Sequence, residues 1–326
     1  MSAGTTGTTG HTGDTGNTVD RTGAGLVLAL VSAVTFGLSG PFAKALTDAG
    51  WSASGAVLVR LGGASAILLV ILAVRRPGVV AAIRADGPAL LLYGLFAAAG
   101  VQVAFFNALQ YLPVAVALLL EYLGPILVIV WVWLVRGQPP SRRTVLGAAV
   151  ALFGLTLVVR LWSGVGLSAH GLVWGLVAAV CQAAYFLIAD RAGSATPPLV
   201  LAGVGMTVGA VVVALLGLVG ALPVVIDTAA TGVVLGGADV GWPVAATLLV
   251  VVASVIAYLT GVGAISRVGA ARGSLVALLE VVASAVASWL LLGQVPAAAQ
   301  TVGGVLILVG VALTVRASGV AGPRPQ

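Results

Sequence analysis

The chain has 326 residues, of which 60% are apolar and only 7% charged, with a formal net charge of +6. Soluble domains carry roughly a quarter charged residues to solvate their surface, so this composition, with a mean hydropathy of +1.18, excludes a water-soluble globular protein. The pI of about 10.2 does not imply a nucleic-acid partner, because the basic residues are scattered over short connections with no dense stripe and no interleaved aromatics.

Residues 1–24 (MSAGTTGTTGHTGDTGNTVDRTGA) are rich in Gly and Thr and hold no apolar run. Such a composition cannot bury a core and predicts a disordered tail. It lacks the apolar region of a signal peptide, which leaves the first span as the targeting signal. A bilayer span needs about 20 mostly apolar residues. Ten stretches of this kind follow, at 25–46, 54–74, 88–109, 114–135, 143–160, 171–190, 198–219, 242–263, 271–292 and 298–315. Pro113, Pro139-Pro140, Pro197-Pro198 and Pro296 mark turns between them. The longest connection, 220–241, carries Asp227, Asp239 and several glycines; it and the short fifth stretch are where a count of nine or eleven would arise. A short tail, 317–326, closes the chain.

Basic residues in the connections set the orientation. With the N-terminus in the cytoplasm, Arg21, Arg75, Arg76, Arg84, Arg136, Arg142, Arg143, Arg191, Arg267, Arg272, Arg316 and Arg324 fall inside, Arg160 alone falls outside, and Lys44 and Arg60 lie within spans. An odd number of spans in the middle would scramble that bias. Both ends are therefore expected in the cytoplasm, and the membrane is of the bacterial cytoplasmic type.

The halves resemble each other. Gly25-Leu-Val-Leu-Ala-Leu-Val-Ser-Ala-Val is echoed by Gly171-Leu-Val-Trp-Gly-Leu-Val-Ala-Ala-Val, and Gln138, Gly147 and Gly154 are matched by Gln294, Gly303 and Gly310. Chance likeness among apolar helices is the alternative, and ungapped pairing at both ends of each unit argues against it. Residues 25–160 and 171–316 thus form two five-helix units. Five is odd, so the second enters the membrane inverted, the architecture of alternating-access transporters. The expected fold is an all-α membrane protein of ten transmembrane helices in two inverted repeats. Pairs such as Gly171/Gly175 and Gly205/Gly209, and Gly147/Ala151 with Gly154, have the spacing that lets helix backbones approach closely in lipid.

Cys181 is the only cysteine, His11 sits in the tail and His170 in a connection, so neither a disulfide nor a metal centre is expected. No Gly-rich phosphate loop with Lys occurs, so neither direct ATP drive nor a cofactor is expected. An intramembrane enzyme would need a nucleophile and base, or metal ligands, at span depth; these are missing.

The stretch Asn107-Ala-Leu-Gln-Tyr-Leu-Pro-Val-Ala-Val-Ala-Leu-Leu-Leu-Glu-Tyr-Leu-Gly-Pro125 resembles the third and fourth spans of the drug/metabolite transporter superfamily, EamA type, and most of all its threonine/homoserine exporter branch. Ala264-Ile-Ser-Arg-Val-Gly-Ala-Ala-Arg-Gly-Ser-Leu-Val-Ala-Leu-Leu-Glu280 resembles the matching part of the second EamA repeat, and Arg60 sits where that family often has an arginine. The resemblance covers about residues 25–316. Two departures stand out. Gly137-Gln138 and Gly293-Gln294 replace the family's usual Gly-Glu, and Val281 follows Glu280 where the family often has proline, which puts a kink at Glu280 in doubt.

An ionisable group inside a span costs about 2.5–3.5 kcal/mol on insertion scales, so such groups usually face a partner or a water-filled cavity. Arg60 and Glu121 lie at matching depth, about 10 Å from the outer side at about 1.5 Å per residue, and are candidates for an ion pair or a shared zwitterion site. Glu280, Ser284 and Ser288 form one polar stripe on a helix; a glutamate there can carry a proton, or serve only a structural hydrogen bond. Further inward candidates are Gln102, Gln182 with Tyr185, Ser254 with Tyr258, and Ser32, Thr35 and Ser39 ahead of Pro41. Lys44 and Asp190, near helix ends, are expected to snorkel to an interface, and Trp51, Trp162 and Trp242 to join the aromatic belt.

Together with the resemblance, these residues imply a secondary transporter that exports small polar metabolites such as amino acids by alternating access, with proton coupling as an option. An importer, a passive facilitator or channel, and efflux of drug-like compounds are the alternatives. The expected partners are a small-molecule substrate and the lipid bilayer, with a homodimer left open and no nucleic acid.

Overall fold

The computed structural model describes residues 14–75, 78–109, 111–112, 114–159, 168–192, 196–229 and 231–317. His11, Arg76, Pro113, Arg160, Trp162 and Arg324, all singled out above, lie outside these. Among the described residues nine helical stretches are long and apolar enough to cross a bilayer: Thr22–Asp48, Ala53–Arg75, Val79–Phe105, Leu119–Arg136, Ala169–Ala192, Pro198–Leu218, Gly241–Val268, Ala270–Leu292 and Ala298–Val315. The fifth stretch read from the sequence is helical, over Arg142–Val159, but is not among the nine.

In chain order, α1 (Asp14–Gly37) and α2 (Ser39–Asp48) are followed by α3 (Ala53–Arg75). Next, α4 (Val79–Leu92), a π-helical stretch Tyr93–Gly100 and α5 (Val101–Leu109) run on from one another. After α6 (Val114–Glu121), α7 (Gly124–Arg136) and α8 (Arg142–Val159) come α9 (Ala169–Ala192) and α10 (Pro198–Leu218). A second composite helix consists of α11 (Gly241–Val250), a π stretch Val251–Ile256 and α12 (Ala257–Val268); α13 (Ala270–Ala277), α14 (Leu279–Leu292) and α15 (Ala298–Ala317) complete the bundle. Two corrections follow at the helix starts. Helix α1 begins at Asp14, inside the stretch assigned to a tail, because each residue added to an existing helix gains a backbone bond at little further cost. His170 is the second residue of α9, not part of a connection.

Three interruptions shape the middle of the bundle. Pro41 has no N–H, and its ring collides with the carbonyl four residues back, so α1 and α2 part at Leu38. The chain tightens again between α6 and α7, where Leu123 N bonds to Leu120 O, and Pro125 then opens the new helix. Between α13 and α14 the same tightening occurs without proline, through Leu278 N to Leu275 O and Val281 N to Leu278 O. A kink beside Glu280 therefore survives the replacement of proline by Val281. Gly37 rests directly on it: a Cβ there would fall 2.9 Å from Glu280 O and 2.8 Å from Ser284 N.

Helices α8 and α15 pack antiparallel along a glycine seam. A Cβ on Gly147 would lie 2.6 Å from Gly310 O, and one on Gly154 would lie 2.5 Å from Gly303 O. Small residues bring backbones this close where lipid supplies no hydrophobic drive for association.

The 220–241 connection is not wholly irregular. Val234–Leu235 (β1) and Ala238–Asp239 (β2) pair antiparallel, the only strands among the described residues. The segment folds back over the helix ends, where Trp51 Nε1 donates to Asp227 O at 2.8 Å and Trp242 Nε1 to Thr228 O at 2.9 Å. Trp51 is 4% exposed, so it is a buried anchor for this connection and not a member of an aromatic belt. The carbonyls of the returning chain satisfy its indole N–H, leaving it no need of water.

Gly154→Val should destabilise the detergent-solubilised protein by about 1–3 kcal/mol, the usual cost of overpacking. Gly62→Ala, at a helical glycine with nothing within 4 Å of an added Cβ, should be neutral or stabilising. Thermal unfolding of the two variants checks this, and equal midpoints would remove the seam from the account.

Candidate binding site

Arg60 is the key to the site. It lies on α3 and is only 9% exposed. Its Nε donates to Ser254 Oγ at 3.0 Å and its Nη2 to Ala253 O at 3.2 Å. The guanidinium carbon stands 5.7 Å from the centroid of the Phe36 ring, within cation–π range. The acceptors come from the π stretch Val251–Ile256. There Ala257 N–H bonds to Ser254 O and not, as in an α-helix, to Ala253 O, which leaves that carbonyl open to the guanidinium. Ser254 Oγ is turned by its own bond to Leu249 O at 2.9 Å.

Of the two arrangements expected for Arg60 and Glu121, an ion pair or a shared zwitterion site, this removes the ion pair. Among the described residues Arg60 makes no ion pair with Glu121, whereas Lys44 pairs with Asp48 and Arg136 with Asp190. The helix-freed carbonyl and the serine hydroxyl occupy the guanidinium first. Glu121 instead accepts a hydrogen bond from Gln182 Nε2 at 3.3 Å, while Gln182 Oε1 is buried without a partner. Asp190 is held by the Arg136 guanidinium at 2.6 Å and does not snorkel free.

Two contiguous cavities surround these groups. The inner one, about 120 Å³, is walled by Ser32, Gln182, Tyr185, Phe186 and Tyr258 among others. The outer one, about 790 Å³, extends past Lys44, Thr47, Ser284 and Ser288 to Gln294 and Gln300. Phe36, Ser39, Arg60, Gln102, Glu121 and Glu280 belong to the walls of both, so the three ionisable side chains form a collar at the junction. At the inner end the rings of Tyr185, Phe186, Tyr258, Phe36 and Tyr93 stack edge to face or tilted, with centroids 4.8–6.1 Å apart. Beyond them the Arg136–Asp190 pair ties α7 to α9.

The structure places Arg60, Gln102, Glu121, Gln182, Tyr185, Tyr258 and Glu280 around the inner cavity and Ser284 in the outer, while Ser254 lines neither and serves as an acceptor for Arg60. The stripe Glu280, Ser284, Ser288 faces the outer cavity as its spacing suggested. Thr35 does not take part, its hydroxyl bonding back to Val31 O at 2.7 Å. Phe36 and Phe186 in the inner cavity wall and Tyr122 in the outer were missed, because aromatic residues in an apolar helix carry no sign of which face they occupy; the Ala253 carbonyl has no side-chain signal at all. Among the described residues no three His, Cys, Asp or Glu side chains gather as metal ligands.

Comparison with known proteins adds a family. The pattern of the EamA-like transporter family matches residues 23–160 and again 169–316. Among curated proteins, an inner membrane transporter of Salmonella typhimurium, YicL, is 25% identical over 169 residues, 50% of this chain and 56% of its own. The pseudopaline exporter CntI of Pseudomonas aeruginosa is 29% identical over 165 residues, 51% of this chain and 56% of its own. The chain therefore spans just over half the length of the curated relatives it matches. A solved crystal structure superposes with a TM-score of 0.69 over 91% of this chain and 99% of its own at 22% identity, a likeness of fold.

Ser254→Ala removes the acceptor of Arg60 Nε and should cost about 1–3 kcal/mol, as for a buried hydrogen bond to a charged group. An unchanged thermal midpoint in detergent would mean that the arginine is held by something else.

Proposed function

We propose, on the premise that this chain belongs to the EamA-like transporter family, that it is a secondary transporter exporting small polar metabolites of the amino-acid kind. The observation that carries this reading is the collar: one guanidinium and two carboxyl groups around a cavity whose other lining side chains are uncharged. Charged groups at span depth are costly and typically mark solute pathways. Arg60 would hold the carboxylate of a zwitterion, and Glu121 its ammonium group. The likeness of residues 107–125 to the threonine/homoserine branch supports an amino-acid substrate, and a relative named as an exporter supports the outward direction.

The reading includes ten spans, with α8 as the fifth, in two inverted five-helix repeats. Its support is the seam. Gly147 corresponds to Gly303 and Gly154 to Gly310 between the halves, yet Gly147 touches Gly310 and Gly154 touches Gly303. Exchanging the halves maps this contact onto itself, as a two-fold axis requires. The two π stretches fall at matching positions too, with Ala97 corresponding to Ala253.

With the arginine-rich helix ends in the cytoplasm, the outer cavity opens to the exterior, and the aromatic cluster with the Arg136–Asp190 pair closes the cytoplasmic side. Alternating access would release that pair and close the Lys44 end. Glu121 or Glu280 would take up the proton that drives export.

A panel of amino acids and related metabolites, compared for efflux and growth tolerance in cells with and without the protein, tests the reading. Counter-flow in vesicles should be saturable; linear flux would mark a pore. Glu121→Gln should lower efflux about tenfold or more while membrane insertion is retained, and full flux in that variant would remove Glu121 from the site.

A further inference from the structure

The collar holds more acid than base. Charged groups in the cavity walls are Arg60, Glu121, Glu280 and Lys44, and Lys44 is already neutralised by Asp48, with Nζ 2.8 Å from Oδ1. That leaves one guanidinium against two carboxyl groups. The donors and acceptors are unequal in the same sense. A guanidinium has five N–H donors; Arg60 gives two of them to Ser254 and Ala253, which leaves three for a ligand. Each carboxyl group has one protein donor, Gln182 for Glu121 and the Tyr122 hydroxyl for Glu280, and the remaining acceptor capacity of both, with the unpartnered Gln182 Oε1, awaits a ligand. Glu121 and Glu280 also stand on different helices, at the α6 end and the α14 start, on either side of the chain breaks described above.

A substrate with one carboxylate and one ammonium group satisfies Arg60 and a single glutamate. The other carboxyl group then has no cation to answer it and must take up a proton or carry an unpaired charge at span depth, which is costly. We infer that the site is built for a solute with one carboxylate and two separated cationic groups, a diamino monocarboxylic acid, with Arg60 on the carboxylate and Glu121 and Glu280 each on one ammonium group. Tyr185, Phe186 and Tyr258 at the inner end, with Phe36 at the junction, offer ring faces to the methylene chain between them and to an ammonium group. A dicarboxylic amino acid fits poorly, because its second carboxylate would meet Glu121 or Glu280 with no cation left to answer it. The inference rests on the export reading above, since it assumes that the collar is the substrate site.

The test uses the full-length protein in liposomes loaded with lysine, ornithine, threonine, homoserine or glutamate, measuring efflux and the competition of each against the others. Lysine or ornithine should be moved at least about tenfold more effectively than threonine or homoserine, the factor expected when one buried charge gains its partner, and glutamate should not be moved. In Glu280→Gln the ratio of lysine to threonine transport should fall by about the same factor. Threonine or homoserine moved as well as lysine by the wild-type protein would overturn the inference and leave the export reading standing. Failure to move any of these amino acids would sink the export reading and the inference with it.

Discussion

A guanidinium deep in a bilayer must be compensated, and in this protein the compensation comes from backbone. Arg60 is held by Ala253 O and Ser254 Oγ, both presented by a widened turn in the helix that crosses beside it. Had an acidic side chain filled that role, the collar would contain a closed ion pair, and a closed pair offers a solute little. Because a dipole and a hydroxyl do the holding, the arginine keeps its charge and part of its donor set, and Glu121 and Glu280 remain in the cavity wall. The π stretch Val251–Ile256 is thus the local constraint on which the chemistry of the centre depends, in keeping with the frequent placement of such bulges at functional sites.

Irregular backbone at membrane depth is tolerated only where protein or a water-filled cavity surrounds it. The breaks at Leu38 and Leu278 meet this condition together. Gly37 lets the first approach Glu280 and Ser284 to backbone contact, so the interruptions meet beside the cavity. The glycine seam of α8 with α15, with one bond from Gln300 Nε2 to Val158 O at 3.3 Å, fastens the two family-matched halves.

Much of the site was legible because polar residues are scarce in this chain. In a sequence with 7% charged residues, an arginine and two glutamates inside apolar stretches stand out, and helical spacing placed Glu280, Ser284 and Ser288 on one face. Pairing was not legible. Equal depth and opposite charge suggested that Arg60 and Glu121 meet, but depth along two helices says nothing about their rotation or about a carbonyl on a third. Trp51 misled for a similar reason: its place near a helix end fits the aromatic belt, while the residues that bury it return from Asp227, far along the chain.

Composition alone determined that the protein lives in lipid, because no fold can solvate a surface from so few charges, and the apolar run lengths determined most of the helices. Doubled motifs pointed to two related halves, which the family pattern matches separately. Tertiary structure decided which polar groups share a cavity, which of them are already partnered, and where helices give way to π turns and tightened breaks. Those outcomes depend on backbone carbonyls and on contacts between residues some 150 to 250 positions apart, and neither leaves a mark in the order of side chains.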